Sequence, residues 1–264
     1  MPTLTTPRRI PRRRRAILVA GALSIAAAGC ARTSPSDREW TLSSIDVAGA
    51  EVTGDLPSDA GVEAFVAPFR ARMEARTDEV IGEATAPLVK QGEWESALGN
   101  FSADAMLYTV NRLVSPRVHV AITNNGGLRV PIRPGPITVG LIYELMPFED
   151  MMVVQTLSGT QLLALADELV RVGGEPMAGL RVRVDDDGEA ADVTLDGAPI
   201  DPAAEYRVVT SDYLANGSGN LPTLWDPVAR EDLGVTLREA FMRYVRETGT
   251  IAPTLDGRIG WANR

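Results

Sequence analysis

In the second half of the chain, apolar residues recur at helical spacing between shorter runs that alternate between apolar and polar positions. After Ser158, leucines follow at positions 162, 165 and 169, which is the three- and four-residue spacing of one helix face. Ser158 is a residue type that caps helix N-termini, and the Gly-Gly pair at 173–174 is a typical helix end. The sequence therefore predicts an amphipathic helix between these two signals.

Short apolar runs that favour strands lie before and after this helix. The dipeptides Asp187-Gly188 and Asp196-Gly197 separate three of these runs, and Asp-Gly commonly forms the tight turn of a hairpin. The run of aspartates at 185–187 lacks the alternate-residue spacing of a calcium-binding loop, so we interpret it as part of a turn. The predicted strands are 78–89, 117–124, 151–157, 180–184, 192–195 and 206–211, with an early extended segment at 40–52.

Further helical patterns complete the predicted fold. A first helix is predicted to begin at Ser58, and Pro68 within it predicts a kink or a break. A last helix is predicted to begin at Thr236, where Glu239 completes a capping box. The other predicted helices are 100–114 and 138–146. Because helices and strands interleave irregularly, we predict an α+β fold: a single domain with a mixed β-sheet and flanking helices.

The N-terminus has the composition of an export signal. Six arginines lie among the first 15 residues, and a short apolar run at 16–29 follows them. This run ends in Ala-Ala-Gly before Cys30, which resembles the signal of bacterial lipoproteins, in which the cysteine becomes the lipidated N-terminus. The predicted organisation is a signal peptide at 1–30, a polar tether at 31–38 and one domain at 39–264.

This signal predicts an exported lipoprotein, anchored to a membrane through Cys30 and facing the periplasm or the cell exterior. An uncleaved anchor helix is the alternative, and it also places the domain outside the cytoplasm on a membrane. The pattern leaves open the Sec or twin-arginine route and the inner or outer membrane.

Charge and cysteine content exclude several classes of protein. The formal net charge is −9, and removal of six arginines with the signal gives −9 − 6 = −15. Such an acidic chain argues against a nucleic acid partner, because binding a phosphate backbone needs clustered positive charge. A single cysteine excludes intramolecular disulfides, thiolate metal sites and, once it is lipidated, a cysteine nucleophile.

The chain contains one histidine, His119, in a predicted strand. A dinuclear phosphohydrolase centre is typically built from several histidines and carboxylates, so this chain cannot supply one. A serine triad would have to use His119, and no G-x-S-x-G pattern is present. We interpret His119 as a structural residue and predict no catalytic residue and no cofactor in this chain, although a pair of carboxylates remains an open alternative.

The sequence "NNGGLR" at 124–129 follows the apolar run "VHVAIT". Two adjacent glycines let the backbone come close to a ligand or adopt dihedrals that other residues avoid. Arg129 adds a planar guanidinium suited to a phosphate or a carboxylate. This loop is the candidate binding site of the chain.

The segment "NNGGLRVPIRPGPITVGLIYELMPFEDMMVVQTLSGTQLLALAD" resembles the core of the 5′-nucleotidase C-terminal domain family. That family has a glycine-rich loop with an arginine, then "G-x-I-T", "P-F" and "L-[ST]-G-x-x-L" segments. Three further segments resemble the family in the same order: "LGNFSADAM" at 98–106, "AGLRVRVD" at 178–185 and "SDYLANGSGN" at 211–220. In this family the C-terminal domain binds the nucleotide, and a separate metallophosphatase domain hydrolyses it.

The resemblance implies a role for individual residues. It places Asn124 and Arg129 near the phosphate and ribose, and Phe148 and Tyr213 on the two faces of the base. Gly179 and Asp150 stand where the family contacts the base edge, although Asp150 replaces an asparagine or glycine there. Trp94 stands where the family has a second arginine. The aspartate that binds the ribose in the family is replaced by Gly219 or Asn220, and either Asn216 or Asn220 is the candidate substitute for it. The predicted substrate-binding residues are Asn124, Gly126, Gly127, Arg129, Phe148, Asp150, Gly179, Tyr213 and Asn216.

These observations lead to one hypothesis and its alternative. The hypothesis is the substrate-binding half of a split, exported 5′-nucleotidase-type phosphohydrolase, acting in nucleotide catabolism with a separate metallophosphatase subunit that holds divalent metals. The ligand would be a nucleoside phosphate or a nucleoside. The alternative is a non-catalytic nucleotide- or nucleoside-binding lipoprotein, or a degenerate interaction domain.

Overall fold

The computed structural model of the chain describes Thr53 and residues 55–263. The predicted signal peptide, Cys30, the tether at 31–38 and the extended segment at 40–52 lie outside these residues. A compact unit begins at Ser58 and includes all the elements described below.

Helices and strands interleave along this unit as the sequence predicts. The helices are α1 (Ala60–Thr77), α2 (Ala97–Leu113), α3 (Val139–Leu145), α4 (Gly159–Arg171), α5 (Asp212–Ala215) and α6 (Leu237–Thr248). The strands of the first half are β1 (Val80–Ala84), β2 (Val120–Ile122), β3 (Gly135–Thr138) and β4 (Met151–Ser158). Those that follow are β5 (Met177–Ala178), β6 (Leu180–Val184), β7 (Ala190–Leu195), β8 (Ala198–Pro199), β9 (Glu205–Ser211), β10 (Ala229–Thr236), β11 (Thr250–Ile251) and β12 (Ile259–Trp261).

The described strands form three sheets. Their orders are β11-β1-β3, β10-β4-β9-β2-β5 and β12-β6-β7-β8. The five-stranded sheet is mixed, because β2 pairs with β9 in parallel while its other pairs are antiparallel. The predicted α+β class is confirmed, with the strands distributed over three sheets.

Capping interactions fix the two most amphipathic helices. At α4, the Ser158 hydroxyl accepts from the Gln161 N–H at 3.2 Å, and the Gln161 side chain accepts from the Ser158 N–H at 2.9 Å. At α6, Thr236 and Glu239 form the same reciprocal pair at 3.1 and 2.8 Å. Both predicted helix starts are confirmed. Each cap pairs two N–H groups that would otherwise have no partner, which favours the start of the helix at that residue.

The first helix differs from its prediction in two ways. Asp59, rather than Ser58, caps α1: its Oδ1 accepts from the N–H groups of Gly61 and Val62 at 2.8 and 3.0 Å. The helix also continues through Pro68 without the break, while the alternative of a kink stays a prediction. No residue of α1 is buried, so the surface offers space for the proline ring and water for the carbonyl that loses its partner.

The predicted strand at 117–124 is shorter in the structure because a side chain replaces one of its backbone partners. Asn111 on α2 accepts from the Val118 N–H at 2.8 Å and donates to the Val118 carbonyl at 3.0 Å. Residue 118 therefore pairs with a side chain, and β2 begins at Val120. The predicted strand at 78–89 is likewise reduced to β1, and α2 begins three residues before its predicted start.

Both faces of the five-stranded sheet are covered, and alternate residues of its central strands face opposite sides. Ala121 and Val209 belong to the apolar cluster that includes α2, α3 and α6. Val120 and Val208 belong to a second cluster, formed with α4 and the four-stranded sheet. Period-two alternation of apolar side chains is the pattern that places a strand between two such layers.

A buried guanidinium joins the C-terminal segment to the helix and the strand beside it. Arg258 donates through both Nη atoms to the Asp104 carboxylate on α2, each at 2.8 Å. Its Nε donates to Asp256 at 2.8 Å, and Nη1 also donates to the Met177 carbonyl in β5 at 2.9 Å. Burial raises the pKa of the Asp104 carboxyl, and the hydrogen bond from Arg258 opposes that rise. Paired, hydrogen-bonded charges of this kind tolerate burial.

Within residues 55–263, no helix combines the length and the apolar composition needed to cross a membrane.

His119 has a structural role, as its sequence position indicates. Its Nδ1 accepts from the Arg207 N–H at 3.0 Å, and its backbone N–H donates to the Arg207 carbonyl at 2.8 Å. Partial burial, and then the nearby Arg117, lower the pKa of His119 from its usual value of 6.5. The folded state therefore favours the neutral imidazole.

The first prediction follows from this lowered pKa. At His119 the unfolded chain takes up a proton at a higher pH than the folded chain, so the contribution of His119 to the free energy of unfolding should fall as pH drops below about 6.5. The matched variant is His119→Asn, whose amide oxygen can still accept from Arg207 but does not titrate. Urea unfolding of both proteins between pH 7 and 5 measures the difference. The two proteins differ only at residue 119, and the chain has no second histidine. Identical pH profiles would therefore contradict the prediction.

Candidate functional site

Three segments that contain predicted site residues meet at one edge of the five-stranded sheet. β2 and β9 are parallel, with Val120 beside Val208, so their C-terminal ends lie at the same edge. β4 is antiparallel to β9, with Met152 beside Ser211, so its N-terminal end lies at that edge as well. The loop after β2, the segment before β4 and the helix after β9 are therefore neighbours in space.

A cleft with a volume of about 290 Å³ lies at this edge. Seven of the nine predicted substrate-binding residues line it: Asn124, Gly126, Gly127, Arg129, Phe148, Asp150 and Tyr213. They come from three separate segments of the sequence, so their convergence is a property of the fold. The volume is close to the lower end of the range typical of small-molecule sites.

The glycine loop is closely packed beneath the cleft. Residues Asn125–Gly127 form a single 3₁₀ turn, and Gly127 is buried. A Cβ at Gly127 would lie 3.1 Å from the Met146 Cε, closer than most contacts of a real side chain. Glycine at this position therefore lets the backbone of the loop approach both the core and the cleft.

Hydrogen bonds fix both ends of this loop. At its start, the Asn125 N–H donates to the Glu175 carboxylate at 2.6 Å, and the Asn125 side chain donates to the Gly174 carbonyl at 3.3 Å. At its end, the Arg129 N–H donates to the Leu145 carbonyl at 2.8 Å. Burial raises the pKa of Glu175, and its bonds from Asn125 oppose that rise. Sequence analysis did not identify Glu175, which lies 50 residues from its partner.

Two aromatic rings of the cleft are exposed to solvent. Phe148 is 44% exposed and Tyr213 is 45% exposed. Tyr213 is held by the short helix α5, whose cap Ser211 accepts from the Leu214 N–H at 3.2 Å. Exposed aromatic side chains that line one cleft offer flat apolar surfaces on which a planar ligand can stack.

The charged residues that line the cleft are one cation and one anion. Arg129 is exposed, and its Nη1 donates to the Gly126 carbonyl at 3.1 Å, which leaves its other N–H groups available to a ligand. Asp150 is half-buried, and burial and then the nearby Asp212 raise the pKa of its carboxyl. This arrangement suits a ligand with an anionic part and a part that donates hydrogen bonds.

The other predicted residues lie away from this cleft lining. Gly179 has a φ of +87°, and a Cβ there would lie 2.0 Å from the His119 carbonyl, so its backbone position requires glycine. Asn216 accepts from Arg230 at 2.7 Å. Trp94 packs edge-on against Trp261 with ring centroids 5.4 Å apart. Their predicted roles toward a ligand stay predictions.

In residues 55–263, no three histidine, cysteine, aspartate or glutamate side chains are grouped so that they could hold a metal ion.

Comparison with known proteins identifies the family. Residues 80–226 match the model of the 5′-nucleotidase C-terminal domain, which includes every residue of the cleft. The trifunctional nucleotide phosphoesterase protein YfkN of Bacillus subtilis is 30% identical over 211 residues, which cover 72% of this chain and 14% of that protein. Protein UshA of Escherichia coli is 21% identical over 216 residues, covering 79% of this chain and 39% of UshA.

A solved structure agrees with these sequence comparisons. The crystal structure of a 5′-nucleotidase precursor from Thermus thermophilus superposes with a TM-score of 0.67 and 31% identity, over 79% of this chain and 44% of that one. The chain therefore spans less than half the length of these relatives. The matched residues include all three segments that form the cleft, and the chain belongs to the 5′-nucleotidase C-terminal domain family.

Proposed function

We propose that this chain binds a nucleoside phosphate in the cleft at the edge of the five-stranded sheet. One observation supports the proposal above all: Phe148, Tyr213 and Arg129, from three separate segments, line a single cleft. The base would stack on Phe148 and Tyr213, and each such contact is worth about 1–3 kcal/mol. Stacking depends little on the identity of the base, because every base has a flat aromatic face.

The phosphate would bind at the glycine loop. Arg129 provides a guanidinium whose planar N–H groups match phosphate oxygens, and it lies beside Gly126 and Gly127, where no side chain shields the backbone. Asn124, at the start of the same loop, would donate its amide N–H to the phosphate or the ribose. The chain is acidic overall, so a local cation is needed to attract an anionic ligand.

We further propose that hydrolysis requires a metallophosphatase on a separate chain. YfkN, the relative at 30% identity, is a nucleotide phosphoesterase by name and is far longer than this chain. The described residues hold no group suited to a metal ion. In this proposal the metal ions and the attacking water come from the partner. The role of this chain is then to bind and orient the nucleotide in nucleotide catabolism.

Export and membrane attachment are part of the same proposal. The arginine block, the apolar run and the Ala-Ala-Gly sequence before Cys30 support a lipidated N-terminus outside the cytoplasm. Mass spectrometry of the protein isolated from membranes should find a lipid-modified Cys30 at its N-terminus. An N-terminus that begins at Met1 without lipid would contradict this assignment.

The binding proposal predicts separable effects of the cleft residues. Phe148→Ala and Tyr213→Ala should each weaken binding of AMP and of adenosine about tenfold, because both ligands stack on the rings. Arg129→Gln should weaken binding of AMP by a similar factor and leave adenosine unchanged, because adenosine has no phosphate. Isothermal titration calorimetry of the four proteins measures these ratios.

Phe69→Ala is the matched control for the aromatic substitutions. Phe69 is an exposed ring on α1, outside the cleft lining, and its removal should leave both affinities unchanged. If wild-type protein binds no nucleoside phosphate, GMP included, at millimolar concentration, or if Phe69→Ala weakens binding as much as Phe148→Ala, the proposed site is wrong.

The separate-chain proposal predicts an inert isolated protein. With AMP and Mn²⁺, the chain alone should release no phosphate above the buffer blank in a colorimetric assay. Addition of its metallophosphatase partner should produce release that neither protein gives alone, and Arg129→Gln should reduce that release. Metal-dependent turnover by the isolated chain would contradict the proposal.

A further inference from the structure

Asp150 is the one carboxylate among the residues that line the cleft. Asp150 immediately precedes β4, and a hydrogen bond fixes its backbone: its carbonyl accepts from the Leu237 N–H at 3.0 Å. Its side chain has no hydrogen-bond donor among the residues that the structure describes. A half-buried acceptor without a donor is unfavourable, and a ligand that supplies N–H groups would satisfy it.

The neighbouring charges leave this acceptor available. Asp212, whose charge acts on Asp150, already accepts from the Met151 N–H at 2.9 Å. Arg129, the cation of the cleft, forms no ion pair with Asp150 in the described structure, and its Nη1 bonds to the Gly126 carbonyl instead. Glu149, the adjacent carboxylate, pairs with Arg238 and lies outside the cleft lining.

We propose that Asp150 is a specificity residue that selects a guanine-type base. This inference rests on the proposed nucleotide site, and it names the class of base that the site prefers. A carboxylate accepts two parallel N–H bonds when the donors are adjacent, as they are in guanine, where a ring N–H lies beside an exocyclic amino group.

The other common bases match a carboxylate less well. Adenine and cytosine have an amino group, but the adjacent ring nitrogen is an acceptor and would face the carboxylate oxygen. Hypoxanthine keeps the ring N–H of guanine and lacks only the amino group. Because stacking on Phe148 and Tyr213 accepts any base, Asp150 is the cleft residue whose chemistry distinguishes them.

The experiment compares GMP with IMP, which differ by the exocyclic amino group alone. Wild-type protein should bind GMP about tenfold more tightly than IMP, since hydrogen bonds to a charged group are among the stronger ones in proteins. In Asp150→Asn, whose side chain is the same size but offers one acceptor and one donor, the ratio should fall below about threefold, mainly through weaker GMP binding. Calorimetry gives both affinities.

Glu149→Gln is the matched control. It removes one negative charge, as Asp150→Asn does, but at the adjacent residue, whose side chain lies outside the cleft lining. It should keep the wild-type preference for GMP. Equal affinities of wild-type protein for GMP and IMP would overturn the inference and leave the nucleotide site standing. Binding of neither would overturn both. Because the first comparison uses wild-type protein, the result does not depend on the folding of a variant.

Discussion

The cleft depends on the direction in which three strands of one sheet run. β9 pairs with β2 in parallel and with β4 in antiparallel orientation, so two strand ends and one strand start reach the same edge. Reversal of any one strand would move its loop to the opposite edge and separate the rings from the guanidinium. The mixed character of the sheet is therefore a condition for the site.

Local signals in the sequence were sufficient to predict where a helix begins when the residues that cap it are close together in the sequence. The capping boxes at Ser158 and Thr236 join residues three positions apart, so the sequence itself contains both partners. The composition of the loop at 124–129 already indicated a binding site. The resemblance to a known family added Phe148, Asp150 and Tyr213, because its motifs are short segments in a fixed order. Period and capping alone would have predicted the class of fold without a site.

Interactions between distant segments could not be predicted in this way. Asn111 shortens β2 through a pair of bonds to Val118 that period-two analysis does not include. Arg258 contacts Asp104 across 154 residues of sequence, and nothing near residue 258 indicates a buried ion pair. Glu175, which follows α4 in the sequence, accepts from the Asn125 N–H of the glycine loop. In each case a polar side chain pairs with a segment that only the folded chain brings within reach.

The hydrogen bonds at the two ends of the glycine loop affect the entropic cost of ordering that loop when a ligand binds. The Glu175 carboxylate holds the loop at Asn125, and the Leu145 carbonyl holds it at Arg129. A loop already bound at both ends would lose little conformational freedom on binding a ligand, so less of the binding free energy would be spent on ordering the backbone. The cleft is therefore largely preformed on the side of this loop, and its selectivity would depend on which ligands fit a shape that hardly adjusts.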